Sequence, residues 1–278
     1  MTRQIQEDVF HMSRTILITG AGSGFGKGTA IGLAKQGHTV IAAAQSWPQV
    51  TALRNEAQSL GLSGLRVEKL DLLESHDAAR VEGWEFDVLV NNAGVGEGGP
   101  ISEIPMDLVR RNFEVNVFAP LGLTQSVVKR WVGSKTRGKI VFVSSALGVI
   151  SPPMVGAYSA TKHAVQAIAE AMQDELRPFG IQVQTINPGP YLTGFNETMV
   201  EAAYRWLDDG VTFTPRSMVK EVTDGLLAKP EGRLDPNDMI AKMIELIPDQ
   251  KGPFRNIFPE ATQEWFRQYE RAMLVRTI

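Results

Sequence analysis

From Arg14 onward, short apolar runs rich in β-branched residues alternate with longer stretches whose apolar positions recur every three or four residues. The first pattern predicts strands and the second amphipathic helices. Strands are expected near 14–19, 38–44, 64–69, 86–91, 138–143 and 181–187, and helices near 24–36, 47–59, 105–132 and 157–178. The runs VLV at 88–90 and IVFV at 140–143 are apolar at every position, as strands covered on both faces must be. Repeated β-α-β units joined by right-handed crossovers build a mostly parallel sheet with helices on both faces. The expected class is doubly wound α/β.

Between Asp71 and Phe86 the chain is barely long enough for a parallel crossover, so the helix there must be short. Beyond Pro188 the rhythm changes to helical segments near 196–208, 216–228, 236–247 and 260–275, with an extended piece at 254–258 suited to an edge strand. Residues 1–13 carry no sustained period and read as a flexible arm. No repeat, low-complexity tract or long linker divides the remainder. A single domain is expected over 14–278, with 190–278 supplying substrate-side helices and the edge strand.

Composition narrows the partners. A net charge of −3 without a dense Lys/Arg tract argues against nucleic acid and anionic membrane as partners. With no cysteine there is neither a thiolate nucleophile nor sulfur-ligated zinc, and the scattered histidines, His11, His38, His76 and His163, do not form a ligand pair at helical spacing. No catalytic metal is expected, and the default location is cytoplasmic.

The strand at 16–19 runs directly into Gly20, Ala21, Gly22, Ser23, Gly24, Phe25 and Gly26, and then into a helix. Glycine at 20 suits a tight exit from the strand. At 24 it opens bare backbone to a pyrophosphate, and at 26 it lets helix and strand pack closely. The helix N-terminus adds free N–H groups and a positive dipole end, so a dinucleotide is expected in this Rossmann-type turn, touching Gly20, Ser23, Gly24, Phe25 and Gly26. The second strand ends at Gln45 and Ser46, where neither a carboxylate for a ribose 2′-hydroxyl nor a cation for a 2′-phosphate stands. Both NAD(H) and NADP(H) stay open; the absence of a repelling carboxylate tilts the expectation to NADP(H). Asp71, with Leu72 beside it, is expected at the adenine, or else as a helix N-cap.

Tyr158 and Lys162 lie one turn apart on a predicted helix. A tyrosine hydroxyl is a poor base near neutral pH, and a neighbouring ammonium is expected to lower its pKa, so that Tyr158 exchanges a proton with a substrate oxygen. The pair alone fits an ordinary amphipathic helix face better than it fits catalysis. In order along the chain, however, stand Thr19 to Gly26, then Asn91, Asn92, Ala93 and Gly94 after the fourth strand, Asn116 in the long helix, Ser144 and Ser145 after the fifth strand, Tyr158-x-x-x-Lys162, Pro188 and Gly189 after the sixth, and Thr193. In this ordered set the chain resembles the short-chain dehydrogenase/reductase family over Arg14 to about Thr193, and more loosely to the end.

The resemblance implies an NAD(P)-dependent oxidoreductase moving a hydride between the nicotinamide and a carbonyl or secondary alcohol. It implies Tyr158 as acid/base, Lys162 on the nicotinamide ribose, and Ser145 rather than Ser144 as the residue that holds the substrate oxygen. Asn116 holds a water for proton return or, alternatively, satisfies backbone at a helix irregularity. Asn92, Ala93, Gly94, Pro188, Gly189 and Thr193 border the cofactor. Leu147, Val149, Pro152, Tyr191, Phe195 and Met199 mark a largely apolar substrate pocket. Family members often form dimers or tetramers through their two long helices, 105–132 and 157–178 here. A non-catalytic dinucleotide sensor and an epimerase or dehydratase on the same frame are the competing functions.

Overall fold

Among the described residues, 13–227 and 234–277 of a computed structural model, seven strands pair in parallel in the order β3-β2-β1-β4-β5-β6-β7. They are β1 Thr15–Thr19, β2 Thr39–Ala44, β3 Leu65–Lys69, β4 Val88–Asn91, β5 Lys139–Val143, β6 Gln182–Pro188 and β7 Arg255–Phe258. The mostly parallel sheet expected is thus wholly parallel, and the extended piece at 254–258 is the edge strand, with Phe258 opposite Pro188. The proposed arm lies outside the described residues except for Ser13.

The helices are α1 Gly24–Lys35, α2 Trp47–Ser59, α3 Ser75–Arg80, α4 Met106–Phe113, α5 Ala119–Ser134, α6 Gly156–Leu176, α7 Phe195–Ala202, α8 Arg216–Leu227, α9 Pro236–Leu246 and α10 Ala261–Val275. Although the central strands are apolar throughout, their side chains still alternate between two cores. Ile16, Ile18, Val88, Val90, Val141 and Val143 face one core with residues of α1, α2 and α9. Leu17, Leu89, Ile140 and Phe142 face the other with residues of α5 and α6. The Asp71–Phe86 crossover has only the six residues of α3 and one 3-10 turn.

Two features differ from the periodicity. The long helix expected at 105–132 is α4 and α5 joined through a π-helical turn, Glu114–Phe118, an irregularity common at functional sites. In the tail, α9 does not reach the substrate side. It lies on α1 so closely that a Cβ at Gly28 would stand 2.4 Å from Ile240 Cδ1, and one at Gly32 2.1 Å from Ile244 Cδ1. Neighbour order reverses between β1 and β4. The loops leaving their carboxyl ends therefore diverge and open a crevice, where open α/β sheets take their ligands.

Candidate active site

A cleft of about 640 Å³ occupies that crevice. Its floor is the turn after β1. Gly24 has a φ of +51°, and the nearest atom to a Cβ there is Thr193 Cβ at 3.9 Å, across the cleft. At Gly26, by contrast, a Cβ would lie 2.5 Å from Asn92 Nδ2 and 2.6 Å from the Gly20 carbonyl oxygen. One glycine keeps the space above the helix start open and the other lets helix and strand touch. Ser23 makes no side-chain cap to α1, so the first-turn N–H groups are left for an anion. This cradle fits a pyrophosphate, the dipole and backbone donors supplying the attraction.

The Asn-Asn-Ala-Gly segment is tied to this turn. Asn92 Nδ2 donates to the Thr19 and Gly20 carbonyls at 2.9 and 3.2 Å, and Thr19 Oγ1 accepts from the Asn92 and Ala93 amides, each at 3.1 Å. Asn91 turns away into the core, its Nδ2 donating to Thr124 Oγ1 at 2.9 Å. Gly20, Ser23, Gly24, Phe25, Gly26, Gln45, Asp71, Leu72, Asn92, Ala93, Gly94, Pro188, Gly189 and Thr193 all border the cleft.

Ser46 does not border the cleft. It stands at the N-cap of α2, where Gln49 Oε1 accepts from its amide at 3.2 Å, and Gln49 lines the cleft in its place. The sequence Ser-x-x-Gln at 46–49 is a capping-box signal that would have shown this. Gln45 Nε2 donates to Asp71 Oδ2 at 3.1 Å. Asp71 is not a helix N-cap, since Glu74 holds that position in α3; its other oxygen accepts from the Leu73 amide at 3.1 Å.

At the opposite end, β5 and α6 bring Ser145, Tyr158 and Lys162 together. Ser145 Oγ accepts from the Leu147 amide at 3.1 Å, and the Ser145 side chain is close enough to the Tyr158 hydroxyl to influence its ionisation. Its carbonyl accepts from Asn187 Nδ2 at 2.9 Å, which fixes the loop after β5 to β6. Lys162 Nζ donates to the Val143 carbonyl at 3.0 Å and lies 5.6 Å from the Tyr158 ring centre. Ser144 Oγ donates to the Lys162 carbonyl at 3.3 Å, a tie between loop and helix.

The electrostatics correct one expectation. The Tyr158 pKa is not lowered here: burial pushes the phenol above its ordinary value, and the Ser145 side chain opposes that shift only in part. Burial also pushes Lys162 down, to about 8. Both groups share a dry pocket in which the charged form of each is disfavoured.

Asn116 lies behind the cleft wall. Its Oδ1 accepts from the Val95 amide at 2.8 Å, and its Nδ2 donates to the Val95 carbonyl at 2.8 Å and to Thr161 Oγ1 at 3.0 Å. A Cβ at Gly94 would stand 3.3 Å from Asn116 Oδ1 and 3.6 Å from Lys162 Nζ. The π turn thus aims the Asn116 amide at the backbone of the loop that borders Lys162.

On the substrate side, Phe195 and Tyr158 have ring centres 5.4 Å apart and pack with Met199, Val155 and Leu147. Tyr191, Phe195 and Met199 line the cleft, whereas Leu147 backs the cluster from behind. Val149 and Pro152 do not border the cleft, and Val149 packs towards Phe266 of α10. The wall is less apolar than expected, because Glu97, Arg111 and Arg205 also line it. Among the described residues no group of three or more His, Asp or Glu side chains could hold a metal ion, and no helix is long and apolar enough to cross a membrane.

The family model for short chain dehydrogenases matches residues 14–203. The chain belongs to that family. Among its relatives, an NADPH-dependent 3-dehydrocapnine reductase from Ornithobacterium rhinotracheale is 45% identical over 113 residues, 39% of each chain. A diacetyl reductase [(S)-acetoin forming] from Staphylococcus epidermidis is 32% identical over 205 residues, 72% of this chain and 79% of that one. A solved short-chain dehydrogenase from Streptomyces avermitilis superposes with a TM-score of 0.76 at 26% identity over 94% of both chains.

Proposed function

We propose that this short-chain dehydrogenase reduces a ketone to a secondary alcohol with NADP(H). The observation that carries the reading is the Ser145-Tyr158-Lys162 cluster at the nicotinamide end of a glycine-floored cleft, with a phenol that burial keeps protonated. A neutral phenol is a proton donor, the form that reduction of a carbonyl requires. The cofactor, when bound, supplies the hydride. Ser145 holds the carbonyl oxygen beside the Tyr158 hydroxyl and stabilises the negative charge that develops there. Tyr158 passes its proton to that oxygen. Lys162, in its charged form, stabilises the phenolate left behind and hydrogen-bonds the cofactor's ribose. Asn116 positions Val95 and Gly94 beside Lys162 and keeps a lone pair for a water returning the proton.

The NADP(H) choice is supported by the lack of a carboxylate at the end of β2, and by the relative that is named as NADPH-dependent. The Staphylococcus relative's name supports carbonyl reduction. A homodimer or homotetramer through α4, α5 and α6 fits the exposure of Met106 and Phe118 there, and light scattering tests it. For the chemistry, Tyr158→Phe removes the transferable proton and little else. Turnover is expected to fall by about two to four orders of magnitude with NADPH affinity retained. Wild-type turnover in Tyr158→Phe, or no NADPH oxidation by the wild type with any ketone, would overturn the reading.

A further inference from the structure

The Gly-Val-Gly-Glu-Gly-Gly loop at 94–99 carries one charged side chain, Glu97, and the fold sinks it into the wall of the cleft. The Glu97 side chain is only 9% exposed. The loop is held on both sides of it. Gly98 N donates to the Met199 carbonyl at 2.9 Å and Gly99 N to the Met154 carbonyl at 2.7 Å. Gly96 lies so close that a Cβ there would stand 2.8 Å from Met199 Cγ and Sδ. Met199 packs on Tyr158 and Phe195, so Glu97 sits on the substrate side of the cleft rather than at the cofactor cradle.

For all its burial, the Glu97 carboxylate accepts no hydrogen bond among the described residues. Its ion-pair partner is Arg111 at 3.8 Å, beyond hydrogen-bond reach, with a side chain 58% exposed. A carboxylate in a buried side chain without protein donors draws its hydrogen bonds from what fills the cleft. Glu97 lines the cleft, so a donor group on a bound molecule can reach it there. Arg111 and Arg205 stand at the solvent-facing rim, where water weakens their repulsion of a cation, whereas Glu97 acts from a drier wall.

Resting on the ketone-reductase reading above, we propose that Glu97 determines specificity by holding an ammonium group on the substrate, near the carbonyl that Tyr158 protonates. The substrate class is an amino ketone. Its ammonium donates to Glu97, while its carbon chain lies on Phe195 and Met199.

The test compares two ketones of one shape, dimethylaminoacetone, cationic at about pH 6.5, and its neutral isostere isobutyl methyl ketone. Each is titrated calorimetrically into the protein–NADP⁺ complex and assayed by NADPH oxidation. Consumption of NADPH reports the oxidoreductase reading, and the affinity ratio reports Glu97 without needing turnover. The wild type is expected to bind the cation ~10-fold or more tighter, as a charge-assisted hydrogen bond allows. Glu97→Gln should bring the two ketones within about twofold. Arg111→Ala separates substrate recognition from a merely structural ion pair: it should keep the preference, because the carboxylate remains. Equal binding or no binding of the two ketones by the wild type, a preference that survives Glu97→Gln, or its loss in Arg111→Ala, would each overturn the proposal.

Discussion

Asn116 offers the sharpest test of how this site is held together. In Asn116→Ala three hydrogen bonds disappear, and the Val95 amide and carbonyl lose their side-chain partner at once. Net hydrogen bonds contribute about 1 kcal/mol each, and a buried polar group left unpaired costs about 1–3 kcal/mol. Val95 is only half-buried, so water recovers part of that loss; the residue removed is itself 3% exposed, which leaves a small cavity. The sum is about 3–5 kcal/mol, a large share of the roughly 5–15 kcal/mol that holds a domain together. Guanidinium unfolding followed by fluorescence should show the midpoint falling with an unchanged slope. Thr161→Val is the graded control, losing the bond from Asn116 and the one Thr161 Oγ1 donates to the Tyr158 carbonyl at 2.7 Å. It should cost about 1–2 kcal/mol. A loss below about 1 kcal/mol in Asn116→Ala would refute the view that this amide is the clasp between the π turn and the cleft loop.

Three further outcomes are expected. Gly24→Ala should lower stability by only about 1–2 kcal/mol for its left-handed backbone, yet weaken NADPH binding at least ~10-fold by filling the open space at the helix start; equal affinity by fluorescence titration would rule out that position as the pyrophosphate seat. Gly26→Ala, whose Cβ meets the Gly20 carbonyl, should lose stability by more than Gly24→Ala does, read from thermal midpoints. Lys162 titrates near 8 in the fold and near 10.4 when unfolded, so between those values the unfolded chain binds more protons and wild-type stability rises with pH. Relative to Lys162→Met the gain should reach about 3 kcal/mol by pH ~10.5. Taking the difference between the two proteins removes the contribution of Lys139, also depressed to about 8 by burial; a difference that stays flat from neutral pH upward would contradict the burial of the ammonium.

Local chemistry made most of the frame legible in the sequence. Mostly apolar runs specify the strands, because a strand buried on both faces is filled chiefly by apolar side chains. Glycine at 20, 24 and 26 and the Tyr158–Lys162 spacing are read directly, since one turn of backbone determines how those residues are placed relative to one another. Tertiary structure alone decided which residues meet across the sheet. The register of β5 against β6 sets Asn187 on the Ser145 carbonyl. The π turn sets Asn116 on Val95, and the glycine loop's hold on Met199 buries Glu97 in the cleft. Those contacts join segments 21 to 103 residues apart, and sequence periodicity reports only which face of its own element a residue occupies. The sign of the Tyr158 shift belongs to the same class: spacing places an ammonium near a phenol, but burial, a property of the whole fold, decides which form of each is favoured.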